Sequence, residues 1–323
     1  MNTEVKRKRF TISKKTRQVL AILAVLIVLF VIMWAIEPKF AKARSIENMF
    51  KNILPVVLVG CSMTFVIISG NIDLSVGSLM SFSAVMFGFF AIWGINLWLA
   101  ALLTVLIGVV VGMLNGVLTE ILKIPAFIST MATYTAFGGL ALSICDAVAV
   151  KGPGIKPITP LYRLKLFDAI PISVIIILVV VAIFIFLEKK TVLGKYAISI
   201  GGNQTAAKLA GINVAKIRIM FFMLSGAMAA LSGVYLTSKT GSGSPLVGVG
   251  KEFDVISAVI LGGINIKGGE GSIVRMLIGA GILMVLSSGM DMVGVHSYFQ
   301  DVMKGIVLLI AILIEVAAKR NIK

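Results

Sequence analysis

Residues 69–79, Ser-Gly-Asn-Ile-Asp-Leu-Ser-Val-Gly-Ser-Leu, place one carboxylate and a group of amide and hydroxyl side chains inside otherwise apolar sequence. Asp73 can accept hydrogen bonds, Asn71 and Ser75 can both donate and accept, and Gly70 and Gly77 give the backbone freedom to leave a helix. Such a set can cap a following helix as an ordinary tight turn, or it can line a path for a polar solute. A second interruption, Leu-Gly-Gly-Ile-Asn-Ile-Lys-Gly-Gly-Glu-Gly-Ser at residues 261–272, carries the glycine pairs Gly262, Gly263 and Gly268, Gly269. Hydrolytic chemistry has no basis, since the chain holds a single histidine, His296, in a short loop. Cys61 and Cys145 lie in or at the end of apolar runs without metal-ligand spacing and read as packing residues. No phosphate-binding Gly-x-x-x-x-Gly-Lys-Ser/Thr occurs: Gly250-Lys251 is followed by Glu252. Asp301 and Lys304, three residues apart on one helix, are expected to neutralise each other.

The elements that must position these residues are set by composition. The chain is 59% hydrophobic and 14% charged, against ~45–50% and ~25% in soluble domains, and its mean hydropathy is +1.05. It reads as an all-α, polytopic membrane protein. The net charge of +16 resides mainly in loops and caps, which fits anionic headgroups and membrane orientation and calls for no nucleic acid. Apolar runs at 19–36, 53–69, 78–93, 97–122, 126–145, 171–187, 217–238, 254–266, 273–289 and 298–317 predict about ten transmembrane helices, with a range of eight to ten, some short or broken. The run at 254–266 is short for a span. The first run is read as an uncleaved helix; Ala41-Lys42-Ala43 nominally fits a signal cleavage pattern but lies beyond Glu37-Pro38-Lys39. As one helix, residues 53–93 would extend ~60 Å, twice the ~30 Å hydrocarbon core, so the chain must break near Asp73.

An inside N-terminus places nineteen lysines and arginines on the inner side and ten on the outer, which sets the orientation. The layout is a basic cytoplasmic segment 1–18, one transmembrane domain 19–318 with a cytoplasmic loop 188–216, and a cytoplasmic tail 319–323. Within that loop Asn203 is an N-cap, Gln204 to Ala210 a helix body and Gly211 its stop, with Ala206, Leu209 and Ala210 on one apolar face. So short a helix must dock, on a protein partner or on headgroups. Gly108, Gly112 and Gly116 repeat every fourth residue and predict close helix packing beside Asn115. Ser62, Thr64, Ser129, Thr130, Thr133 and Tyr134 can meet solute hydroxyls or bond between helices.

The motifs SGNIDLSVGS, KIPAFISTMAT, LGKYAISIGGNQTAAKLAGINVAKIR and LGGINIKGGEGS, in this order, resemble the integral permease subunit of ribose-type ABC importers for sugars, over about residues 40–315. The resemblance implies a permease paired as a homodimer or with a paralogue in a prokaryotic cell membrane. It implies a separate cytoplasmic ATPase that holds ATP and Mg, an extracytoplasmic sugar-binding protein, and no cofactor on this chain. By the same resemblance Asn203, Gln204, Ala206, Ala207, Leu209, Gly211 and Ile212 contact the ATPase. Asn71, Asp73, Leu74, Ser75 and Gly77 match a Gly-Ile-Asp-Leu-Ser-Val-Gly signature in which Asn71 replaces the usual glycine, so a glycine-only backbone angle there is in question. Gly262, Gly263, Gly268 and Gly269 match late glycine pairs, with Asn265 and Lys267 departing from the usual residues. A stand-alone secondary transporter or channel, or an ABC permease for nucleosides or furanosyl signalling molecules, remains the alternative. The topology is tested by single cysteines at Gln204 and Lys156, in a chain lacking Cys61 and Cys145. An impermeant thiol reagent should label them from opposite faces, and labelling of both from outside would overturn the ten-span arrangement.

Overall fold

The structure is a computed structural model that describes residues 14–320. Parts of the basic segment 1–18 and of the tail 319–323 therefore lie outside the described residues. Each of the ten expected apolar runs forms helix: α1 (Lys14–Ile36), α2 (Ala43–Ile68), α3 (Val76–Ile92), α4 (Leu97–Glu120) and α5 (Ala126–Ser143) lead. After a short α6 (Thr159–Arg163) come α7 (Ile172–Lys190), then α8 (Val192–Gly202) and α9 (Gln204–Leu209) in the long loop. α10 (Val214–Thr240), α11 (Lys251–Leu261), α12 (Ile273–Val293) and α13 (Ser297–Arg320) complete the bundle. A two-residue antiparallel hairpin pairs Lys165 with Pro171 and Leu166 with Ile170. By length and composition α1, α2, α4, α7, α10 and α12 can cross a membrane, and α3 is a shorter apolar helix.

α2 is the axis, buried over most of its length and packed on α7, α10, α11 and α12, whereas α1 lies outside against α12. It starts ten residues before the expected run. A 3-10 turn, Pro38–Ala41, is capped by the Glu37 carboxylate accepting from Lys39 N at 3.1 Å. Within the first turns of α2, Glu47 then pairs with Lys51 at 2.5 Å and with Lys165 at 2.6 Å.

α4 and α10 form the most extensive helix pair. The glycine stripe explains how their backbones meet. A Cβ on Gly108 would lie 2.4 Å from Gly226 O, one on Gly226 would lie 2.0 Å from Gly108 O, and one on Gly112 would lie 2.2 Å from Phe222 O. Lipid tails are as apolar as leucine, so such close backbone contact is a main source of helix association in a bilayer.

The eighth expected run differs most from its expectation. Its helix, α11, starts at Lys251 and ends at Leu261, about 16 Å at 1.5 Å per residue, half the hydrocarbon thickness. The preceding Gly-rich segment, 241–250, supplies the rest by running down beside α3. Gly243 lies against Ala84, Gly248 against Gly77 and Met80, and Gly248 N donates to Ser81 Oγ at 2.9 Å. Non-helical backbone at this depth is tolerated because protein covers it. Lys251, expected in an outer loop, therefore heads a half-helix inside the bundle and pairs with Asp254 at 3.0 Å.

Gly226→Ala should lower the thermal midpoint of the detergent-solubilised protein, since the methyl meets a carbonyl; overpacking of this kind costs about 1–3 kcal/mol. Gly139→Ala, at a helical glycine with nothing within 4 Å, should leave the midpoint unchanged or raise it. Equal responses would refute the backbone-contact account.

Candidate functional site

The first break opens where α2 ends. Ser69 follows Ile68, Gly70 turns the chain at φ 89°, and an extended segment leads to α3 at Val76. The left-handed angle thus falls on Gly70 and not on position 71, so asparagine is accommodated there. Asp73 is 1% exposed and faces protein, not water. Its Oδ1 accepts from Ser75 N at 3.0 Å and Ser75 Oγ at 2.6 Å, and its Oδ2 accepts from Ser225 Oγ of α10 at 2.7 Å. Ser75 Oγ in turn accepts from Asn115 Nδ2 of α4 at 2.8 Å, and Asn115 Oδ1 accepts from Thr133 Oγ1 of α5 at 2.6 Å. Four polar side chains from the break and three helices form one network with the Asp73 carboxylate. Ser225 lies eleven residues into α10, about 16 Å along it, which puts the network at membrane depth. The expected capping of α3 is corrected: Ser75 makes no side-chain cap, and Asp73 binds Ser75 itself. Position 77 is glycine because a Cβ there would lie 1.9 Å from the buried Glu252 carboxylate, a residue the sequence did not single out.

A second group closes the end of α2. Arg218, at the start of α10, donates from Nε and Nη2 to Ser69 O at 3.1 and 2.6 Å, and from Nη1 to Glu120 Oε1 at 3.0 Å. Asn71 Nδ2 donates to the same Glu120 oxygen at 3.3 Å. Arg218 and Glu120 are 9% and 4% exposed, so each would be an uncompensated buried charge without the other. Arg218 also reaches Gln204 Oε1 of α9 at 3.5 Å.

The second break meets the first. Gly263, Gly268 and Gly269 all take positive φ, and Gly269 N donates to Ile68 O at 2.9 Å. Asn265 holds the turn by accepting from Lys267 N at 3.0 Å and donating to Gly268 O at 3.1 Å. A Cβ on Gly262 would strike Arg275 O at 2.5 Å. From the long loop, Gly201 at the end of α8 touches the same place: its Cβ would lie 1.8 Å from Ile68 O.

The long loop holds two helices where one was expected. α8 is capped by Thr191, whose hydroxyl accepts from Leu193 N at 3.2 Å, and α9 by Asn203, whose carbonyl accepts from Ala206 N at 3.0 Å. Gly211 stops α9 at φ 82°. Ala206 and Ala210 are exposed and Leu209 is 85% exposed. Ala207, in contrast, is buried against Ile200 and Val214 of its own chain, with Ile212 packed beside them, so it does not face outward. Among the other polar candidates, Ser62 and Thr64 bond Val59 O and Gly60 O of their own helix, and Ser129 bonds Thr119 at 2.9 Å. Lys304 lies nearer Asp254, at 3.1 Å, than Asp301, at 3.5 Å. Arg218, Glu120 and Ser225 were missed because each sits beside or within an apolar run, and residue type alone does not distinguish a loop charge from a buried one.

Residues 45–312 match the family described as branched-chain amino acid transport system / permease component. The chain belongs to that family. It is 37% identical over 290 residues to the ribose import permease protein RbsC of Bacillus subtilis, covering 90% of each chain. To RbsC of Escherichia coli K12 it is 31% identical, covering 91% of this chain and 92% of the other. To the xylose transport system permease protein XylH of Haemophilus influenzae it is 29% identical, covering 93% and 96%. A solved structure assigned to the metal-chelate type of ABC transporter, inward-facing, shares the fold with TM-score 0.52 and 15% identity over 93% of this chain and 99% of that one. The protein is thus a multi-pass membrane permease subunit of the ribose-type ABC transport class, in agreement with its motifs.

Asp73→Leu strands the hydroxyls of Ser75 and Ser225 in the bundle, at about 1–3 kcal/mol for each unsatisfied group. Asp73→Asn keeps one acceptor oxygen and should be milder in both thermal midpoint and transport. Equal behaviour of the leucine variant and the wild type would show that the network is incidental.

Proposed function

We propose that this family member forms the membrane path of an ABC importer for a simple sugar, ribose-like or xylose-like, delivered by an extracytoplasmic binding protein and driven by a separate ATPase. The observation that carries the reading is the convergence of α8, α9 and both helix breaks on Ile68 and Ser69. A force applied to the exposed face of α9 reaches Arg218 through Gln204, and Arg218 holds the end of the axial helix. A stand-alone carrier has no use for an exposed Leu209 linked to its core in this way.

In this reading residues 188–216 and both termini are cytoplasmic, in the cell membrane of a prokaryote. Ala206, Leu209 and the flanking Asn203, Gln204 and Gly211 form the surface offered to the ATPase, while Ala207 and Ile212 support it from within. ATP and Mg belong to the ATPase, and a second permease copy or paralogue completes the path. The names of relatives that match along the whole chain, ribose and xylose permeases, support a sugar over a branched-chain amino acid. Asn71, Asp73, Ser75 and the glycines at 70, 77, 262, 263, 268 and 269 serve as the jointed backbone that lets the path change shape.

Leu209→Glu should leave the thermal midpoint of the permease unchanged and weaken retention of the ATPase on co-purification roughly tenfold or more, ~1.4 kcal/mol per factor of ten. Sugar-stimulated ATP hydrolysis should fall with it. Ala207→Glu should in addition lower the midpoint, because it buries a charge between α8 and α10. Undiminished uptake by the purified chain in liposomes without ATP or ATPase would favour a stand-alone carrier and overturn the assignment.

A further inference from the structure

We propose that the cavity between α2, α10, α11, α12 and α13 is a contact site for a small, uncharged polyhydroxylated solute. It has a volume of about 220 Å³ and is lined by Asn52, Lys239, Asp254, Ser287, Asp291 and Lys304 among others. That is room for about seven waters at ~30 Å³ each. The proposal deepens the transport reading and rests on it for the solute class.

The cavity is deep. Asp254 and Lys251 head the half-helix α11, and the segment before them has already descended beside α3 as far as Gly77. At its mouth Asp291 lies two residues before the end of α12 and Lys239 one residue before the end of α10, and both are exposed. Ionisable residues at the inner end, as at Asp254, are costly unless they pair or face a water-filled cavity, and those that persist mark solute paths. Asp254 is paired and lines the cavity. Asp254 accepts from Lys251 at 3.0 Å and from Lys304 at 3.1 Å, one lysine on each oxygen. Lys239 donates to Asn52 Oδ1 at 2.9 Å, and Gln300 Nε2 donates to Asp291 Oδ1 at 2.8 Å. The amide nitrogen of Asn52 and the second oxygen of Asp291 make no hydrogen bond among the described residues.

The lining therefore offers ammonium and amide donors interleaved with carboxylate and hydroxyl acceptors. A hydroxyl both donates and accepts, so a polyol can satisfy both kinds of group wherever it turns. An anion would meet Asp254 and Asp291, and a cation would meet three lysines. No group is positioned to hold the solute tightly, as a path that must release its cargo requires.

The test uses the complete permease with its ATPase in proteoliposomes, carrying Ser288→Cys in a chain lacking Cys61 and Cys145. A membrane-impermeant thiol reagent should label Ser288→Cys from the face opposite residues 188–216, and D-ribose or D-xylose should slow labelling threefold or more while sodium phosphate does not. Absence of labelling, labelling indifferent to the pentoses, or protection by phosphate alone would overturn the site. Ser288→Trp, which fills the cavity, should cut pentose uptake at least tenfold with the ATPase still bound; undiminished uptake would also overturn it. If the pentoses slow labelling yet the wild-type complex transports neither, the site stands and the transport reading falls.

Discussion

Two carbonyl oxygens, those of Ile68 and Ser69, are left free where the axial helix stops, at residues 3% and 1% exposed, where burial in protein shuts out water. The chain must bring donors to them. Gly269 N takes the first, and the Arg218 guanidinium takes the second with two of its nitrogens. Bringing an arginine to this place requires a buried counter-charge, which Glu120 provides from the end of α4, and Glu120 in turn holds Asn71. The end of α2, the second break, α4, α10 and α9 are thereby tied to one point by the need to pair backbone groups away from water.

Glycine makes the tie possible. At Gly201 the α8 backbone comes so near Ile68 O that any side chain would collide, and Gly268 combines positive φ with a close approach to Gly70. Between α4 and α10 the reciprocal contact of Gly108 and Gly226 uses the same means for a different end, a fixed pair of long helices. The bundle thus combines a rigid seam along α4 and α10 with joints at the breaks. That division suits a protein whose path must change shape while its frame persists.

The polar interior follows the same rule at two depths. Around Asp73 a carboxylate is held by hydroxyl and amide groups from three helices without a cation. Around Asp254 two lysines hold a carboxylate beside a cavity. The first arrangement is closed and packed, the second is open. The solute contact we propose falls at the second, and the first anchors the start of α3.

Sequence alone determined the class of protein, the ten helical runs, the two glycine-rich interruptions, the cap and stop of α9, and the packing role of the Gly108, Gly112 and Gly116 stripe. Each is a local property: apolar length, a residue type tied to a backbone angle, or a period matched to the helix. It did not reveal that Ala207, between the exposed Ala206 and Leu209, faces inward, because a helix of six residues has no stripe long enough to fix its rotation. It placed Lys251 and Arg218 with the loop charges, since a lysine or arginine at the edge of an apolar run reads the same whether solvated or paired. Only the tertiary structure decided that segment 241–250 descends into the bundle, and that Ile68, Gly201 and Gly269 meet across long stretches of chain. Those contacts join backbone atoms, which every residue carries alike, so no residue type announces them.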